Sequence, residues 1–256
     1  MRLPLLLCLA AVAGCASPSR PSLETAADSL AWRITEAAGG LDAWDRLPTL
    51  RFDWSVRNDS AELIRTRHLW DKSGDRYRVE WPAGQDSTLV AVFSPSTFDP
   101  DAPAGRVALN GDSLTGSAKA ERLGDAYGRF INDGYWLLAP LKVLDPGVQR
   151  SLAPDSGRGV LAIAFEGVGL TPGDRYWIRT DPDTGAMTGW TYVLEGNGQP
   201  TRWEWTGSQT APGSALRLPV AKVTADRQIV TDVLDAGAAD ETLFTDLAPR
   251  LGGAGR

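Results

Sequence analysis

Hydrophobic and polar positions along this chain change period once, close to Pro48. Ahead of it, Leu23, Ala26, Ala27, Leu30, Ile34, Ala37 and Ala38 recur at helical spacing, with Glu24, Asp28 and Glu36 on the polar side. That pattern predicts a helix over residues 23–38. Ser22 is placed to cap its start, and Gly39-Gly40 to stop it in a left-handed conformation. A short helical turn over 41–47 ends at Pro48.

Beyond Pro48 the period is two. In TLRFDWSVR (49–57), Leu50, Phe52, Trp54 and Val56 face one way, and Arg51, Asp53, Ser55 and Arg57 the other. DRYRVEW (75–81) sets Tyr77, Val79 and Trp81 against Arg76, Arg78 and Glu80. Such alternation predicts strands with one dry and one wet face, hence an antiparallel sheet. Further strand candidates are 63–70, 88–93, 106–110, 160–166, 175–180, 190–195, 201–206, 216–224 and 228–234. Turn signals at 72–75, 183–185 and 196–198 separate several of them. About eleven strands in near-continuous succession make a meander that must curl or close around something. The expected class is mainly β with helices added, α+β.

Between the two groups of strands, 117–131 has helical composition and leads into NDGYWLLAPLKVLDPG (132–147). Pro140 and Pro146 argue against a long regular helix, so this stretch reads as a short helix followed by an apolar loop. The loop, with Tyr135, Trp136, Leu137, Leu138 and Leu141, is the candidate plug or lid of the sheet.

Of ten tryptophans, Trp54, Trp70, Trp81, Trp177, Trp190, Trp203 and Trp205 fall on expected strands. Where alternation is clear the indole lies on the apolar face. These rings either pack the core under the first helix or line a hollow, because so large a sheet has more concave area than one helix covers. Apolar cavities bind apolar ligands. The cavity candidates are Phe52, Trp54, Tyr77, Trp81, Trp190, Trp203 and Trp205.

The N-terminus, MRLPLLLCLAAVAGCASPSRPS, sets Arg2 before an apolar run over 3–12 and then small residues. This is the layout of a secretory signal, 1–14, too short to span a membrane. Val12-Ala13-Gly14-Cys15 is similar to the bacterial lipobox, whose cysteine takes a diacylglycerol. Two or more acyl chains, such as palmitate, hold a protein firmly at a membrane where one does not. Residues 15–22 then form the lipidated Cys15 and a polar tether, 23–250 a single domain and 251–256 a frayed tail. Ala16 is not the aspartate associated with inner-membrane retention, which points to the outer membrane facing the periplasm. The alternative is an ordinary signal peptide that contains a cysteine.

Composition removes several kinds of chemistry. Cys8 leaves with the signal and Cys15 becomes the anchor, so no disulfide, cysteine nucleophile or thiolate metal site is expected. A single histidine, His68, excludes a two-histidine zinc site and reads as a satisfied structural residue. Net charge is −6, or −7 without Arg2, and no basic cluster speaks for nucleic acid. No G-x-S-x-G, P-loop or dinucleotide fingerprint occurs, and no cofactor is expected. Asp181-Pro182-Asp183-Thr184-Gly185 lacks the third acidic ligand and distal glutamate of a calcium loop, and reads as a hairpin turn. Glu80, Glu166, Glu195 and Glu204 lie near aromatics, and two carboxylates about 5–9 Å apart could cleave glycans. Alternation, however, puts Glu80 and Glu204 opposite the tryptophans.

AAGGLDAWDRL followed by LRFDW, together with NDGYWLLAPLKVLDPGV and RYWIRTDPDTGAMTGWTYV, resembles the LolA/LolB-type superfamily of lipoprotein-localisation factors and their uncharacterised bacterial relatives. The resemblance covers most of the mature chain. It implies an unclosed half-barrel, a strongly curved antiparallel sheet wrapped around helices, whose apolar concavity receives acyl chains. It thus implies a lipid or acyl-chain ligand for an envelope lipoprotein that is not an enzyme. The lipobox resembles that of the family's outer-membrane acceptor rather than its soluble carrier. None of the family's functional residues is carried over to a position here. The alternative reading is a structural envelope lipoprotein with a filled core and protein partners.

Overall fold

The computed structural model describes residues 22–59, 61–153, 159–166, 171, 173–236 and 240–252. The signal segment, Cys15 and the tether up to residue 21 lie outside the described residues.

Two meanders build one sheet. The first is β1 (Thr49–Arg57), β2 (Glu62–Asp71), β3 (Arg76–Pro82), β4 (Thr88–Phe93), β5 (Arg106–Leu109) and β6 (Asp112–Ser113). The second is β7 (Val148–Leu152), β8 (Val160–Phe165), β9 (Arg175–Thr180), β10 (Met187–Leu194), β11 (Asn197–Thr210), β12 (Arg217–Val223) and β13 (Gln228–Leu234). Antiparallel pairing of β1 with β13 joins them, Trp54 opposite Thr231, into a 13-stranded sheet with β6 and β7 at its two edges. Adjacent strands twist by about 20–25°, and open sheets beyond about ten strands curl. The sheet is accordingly strongly curved and unclosed.

Helices fill its concave side. α1 (Ala26–Ala37) is capped by Thr25, whose side chain and Asp28 form a reciprocal capping box, so the helix starts later than the Ser22 cap expected. α2 (Leu41–Arg46) follows Gly39-Gly40, both at positive φ. α3 (Gly116–Lys142) carries the chain from edge strand β6 to edge strand β7 in 27 residues, about 40 Å of helix.

The continuity of α3 corrects the expectation of a short helix and an apolar loop. Pro140 sits inside the helix, but only Leu141 and Lys142 follow it. Its cost is therefore confined to one missing donor and local crowding in the last turn. Trp136, Leu137, Leu138, Ala139 and Leu141 are buried around it, and Thr35 Oγ1 donates to the Pro140 carbonyl at 3.0 Å. At about 1.5–3 kcal/mol for each large apolar side chain, this burial outweighs the penalty.

A second correction concerns the convex face of β3. Arg78 and Glu80 alternate as expected, yet they are 0% and 1% exposed rather than wet. The C-terminal segment, with α4 (Glu241–Thr245), lies over them. Arg78 donates to the carbonyls of Leu243 and Asp246 at 2.7 and 2.6 Å, and Glu80 accepts the backbone N–H groups of Arg250 and Leu251. Phe244, Leu247 and Leu251 form a small apolar layer with Leu69, Val90, Val92 and Ala108 beneath. The chain is thus tied down as far as Leu251, one residue into the stretch expected to fray.

Candidate functional site

α3 divides the concave interior. Leu123, Ala126, Tyr127 and Phe130, from its first half, pack on β3 to β5 with Tyr77, Trp81, Leu89 and Phe93. Its second half, Trp136 to Leu141, joins α1 over β1 and β7 to β13. Between the two layers the packing leaves an apolar hollow of ≈ 280 Å³. A cavity of about 150 Å³ with such a lining is enough to take up benzene.

The hollow's long wall is one row of α3. Phe130, Gly134, Leu138 and Lys142 follow each other at i+4, with Ile131 and Tyr135 beside them. Gly134 contributes no side chain, and a Cβ built there meets no atom within 4 Å. Opposite stand Phe52, Trp70 and Tyr77 from β1 to β3, and Val148 and Phe165 from β7 and β8. Lys142 and Asp145 are the charged residues of the lining, paired at 3.0 Å with side chains 37% and 44% exposed.

The sequence-derived candidates separate here. Phe52, Tyr77, Tyr135 and Leu138 line the hollow. Trp190, Trp203 and Trp205 instead pack with Trp136, its ring 4.7 Å from Trp190 and 5.0 Å from Trp203. Trp54, Leu137 and Leu141 belong to that same cluster, and Trp81 to the layer under the first half of α3. Gly134, Phe130, Trp70, Phe165 and Lys142 were missed; the i+4 row through a residue without a side chain was the available signal.

A buried polar group stands behind this wall. Phe52 stacks on His68 at 4.3 Å between centroids, and Tyr77 Oη lies 2.8 Å from His68 Nδ1. Burial, and then the Asp133 charge, push the Tyr77 hydroxyl well above its ordinary range. The phenol therefore stays protonated and shares a hydrogen bond with Nδ1. Nε2 faces Asp133 Oδ2 at 3.3 Å, out of line for a hydrogen bond, while Asn132 donates to Asp133 Oδ1 at 2.8 Å. His68 is thus hydrogen-bonded through Nδ1, and its Nε2 lies beside the Asp133 carboxylate without a hydrogen bond.

The carboxylates considered for glycan cleavage are engaged separately. Glu80 holds Arg78 and the C-terminal backbone, Glu204 holds Arg179 and Arg202, Glu166 accepts from Gln149, and Glu195 from the Gly173 N–H. Asp181 accepts from the backbone of Asp183 and Thr184, which makes 181–185 the β9–β10 turn. Among the described residues no group of three His, Cys, Asp or Glu side chains could hold a metal ion, and no helix is long and apolar enough to cross a membrane.

No family model matches the sequence, and no curated protein matches it. Solved structures similar to the chain include a LolA superfamily protein from Nitrosomonas europaea, at 13% identity and TM-score 0.42, covering 84% of this chain and 97% of that one. A DUF1329 family protein from Desulfovibrio piger has 11% identity and TM-score 0.42, over 84% and 94%. A domain named for outer-membrane lipoprotein sorting, from Vibrio parahaemolyticus, has 8% identity and TM-score 0.36, over 82% and 97%.

Proposed function

We propose that this protein is a bacterial envelope lipoprotein that binds an acyl chain or similar apolar ligand in the hollow beside α3. The observation that carries the reading is the hollow itself: ≈ 280 Å³ of apolar space held between a curved sheet and its central helix. Each methylene moved there from water contributes about 0.8 kcal/mol. Anchoring through a lipidated Cys15, in the outer membrane and facing the periplasm, follows from the N-terminal sequence. The role is binding and handling of lipid or lipoprotein rather than catalysis. Mass spectrometry of lipids extracted from the natively purified protein tests this, and a stoichiometric acyl species beyond the covalent anchor is expected.

The structural alternative has one observation in its favour. Leu137, Trp190 and Leu161 are almost completely buried, so most of the concavity is already filled by the chain's own side chains. On that reading the extract contains no bound species, and Gly134→Leu leaves every interaction of the protein unchanged.

A further inference from the structure

The shape of the hollow narrows the ligand class, given the acyl-binding function proposed above. Phe130 and Lys142 are twelve residues apart on α3, which places them about 18 Å apart along the helix. The lining of the hollow follows this row from one residue to the other. Successive carbons of an extended chain, joined by bonds of about 1.5 Å, advance about 1.3 Å each, so some fourteen fit between these residues.

The slot is chemically asymmetric along its length. Phe130, Gly134 and Leu138 offer only carbon and hydrogen to a tail. At the far end stand Lys142 and Asp145, and Pro146 beside them is exposed. Their ion pair is partly exposed, and such pairs are worth little, so a competing anion can take the lysine at small cost. We infer that the hollow takes singly acylated anions, with the tail along Phe130, Gly134 and Leu138 and the carboxylate or phosphate head on Lys142. One carbon-lined row and one cation match one tail and one anionic head, so diacyl lipids and uncharged single-chain lipids bind less tightly.

The full chain, titrated by tryptophan fluorescence, tests this with four probes: myristate, a myristoyl lysophosphatidylglycerol, monomyristoylglycerol and dimyristoyl phosphatidylglycerol. Trp70 lines the slot and reports occupancy. Expected is binding of the two single-chain anions, and weaker binding of monomyristoylglycerol and of the diacyl lipid. Lys142→Met should weaken the anions about ten-fold and leave monomyristoylglycerol unchanged, while Lys142→Arg should restore them. Gly134→Leu should weaken every single-chain probe. Myristate alone responding to Lys142 would assign the site to free fatty acids, and the lysophospholipid alone to a phosphate head. Equal loss of charged and uncharged probes in Lys142→Met, or diacyl binding as tight as single-chain binding, would overturn the inference while leaving acyl binding standing. If no probe binds the unaltered protein, acyl binding itself fails.

Discussion

His68 Nε2 lies 3.3 Å from Asp133 Oδ2, a polar approach without a hydrogen bond that joins the sheet to the central helix inside an apolar interface. Both residues are buried, at 0% and 2% exposure. Asp133→Ala removes the carboxylate that faces this edge of the buried imidazole, and should lower stability by about 1 kcal/mol. Urea unfolding should show that loss. A change under about 0.5 kcal/mol would mean that the pair does not fasten α3.

Lys222 makes stability depend on pH. Its ammonium is fully buried on β12, donating to the Pro219 carbonyl and to Thr231 Oγ1, with Trp205 beside it. Burial lowers its pKa from 10.5 to about 7. Between those values the unfolded chain binds more protons than the folded one, so stability rises with pH across that window and is lowest below pH 7. Between pH 7 and 9.5 the gain should be on the order of 3 kcal/mol. Above about pH 10 it is opposed by Tyr77 and Tyr135, whose hydroxyls burial raises. Lys222→Met should be more stable at pH 7 and flatten the profile. A flat profile in the unaltered protein would contradict this assignment.

The convex clamp can be opened from one residue. Glu80 joins Arg78 to the Arg250 and Leu251 backbone, and the two paired side chains are fully buried. Glu80→Ala leaves a buried guanidinium without its carboxylate, a loss of about 3–5 kcal/mol. Hydrogen exchange over 241–251 should rise well before that in β8 to β11. Uniform exchange would show that the segment does not depend on the clamp.

Gly134 separates occupancy from stability. Glycine inside a helix costs about 1 kcal/mol relative to alanine, and the site has room for a Cβ. Gly134→Ala should therefore raise thermal stability while narrowing the hollow. Leu137→Ser, at a fully buried neighbour outside the lining, should instead lose stability by more than 2 kcal/mol. If Gly134→Ala destabilises the protein, the hollow is not the open space described.

How much of this the sequence discloses depends on whether the signal is local. Alternation in β1 and β3 sorted Phe52, Trp54, Tyr77 and Trp81 onto the inner face, because a strand's two faces see different surroundings over five or six residues. β7, VQRSL, is an edge strand with Gln149, Ser151 and Leu152 exposed, so it carries no clean alternation and went unseen. The wet face assigned to Arg78 and Glu80 failed because a segment some 165 residues later covers it. Pro140 misled for a related reason: its local penalty is visible in sequence, whereas the burial that offsets it is tertiary. The hollow was least legible of all, since it depends on Gly134, a residue whose contribution is the absence of a side chain.

Native mass spectrometry of the full-length protein, purified in mild detergent, reads occupancy of the hollow directly. One non-covalent single-chain lipid per molecule is expected, released on denaturation and greatly reduced in Gly134→Leu. A spectrum with no non-covalent lipid, identical in both forms, would contradict acyl binding in the hollow.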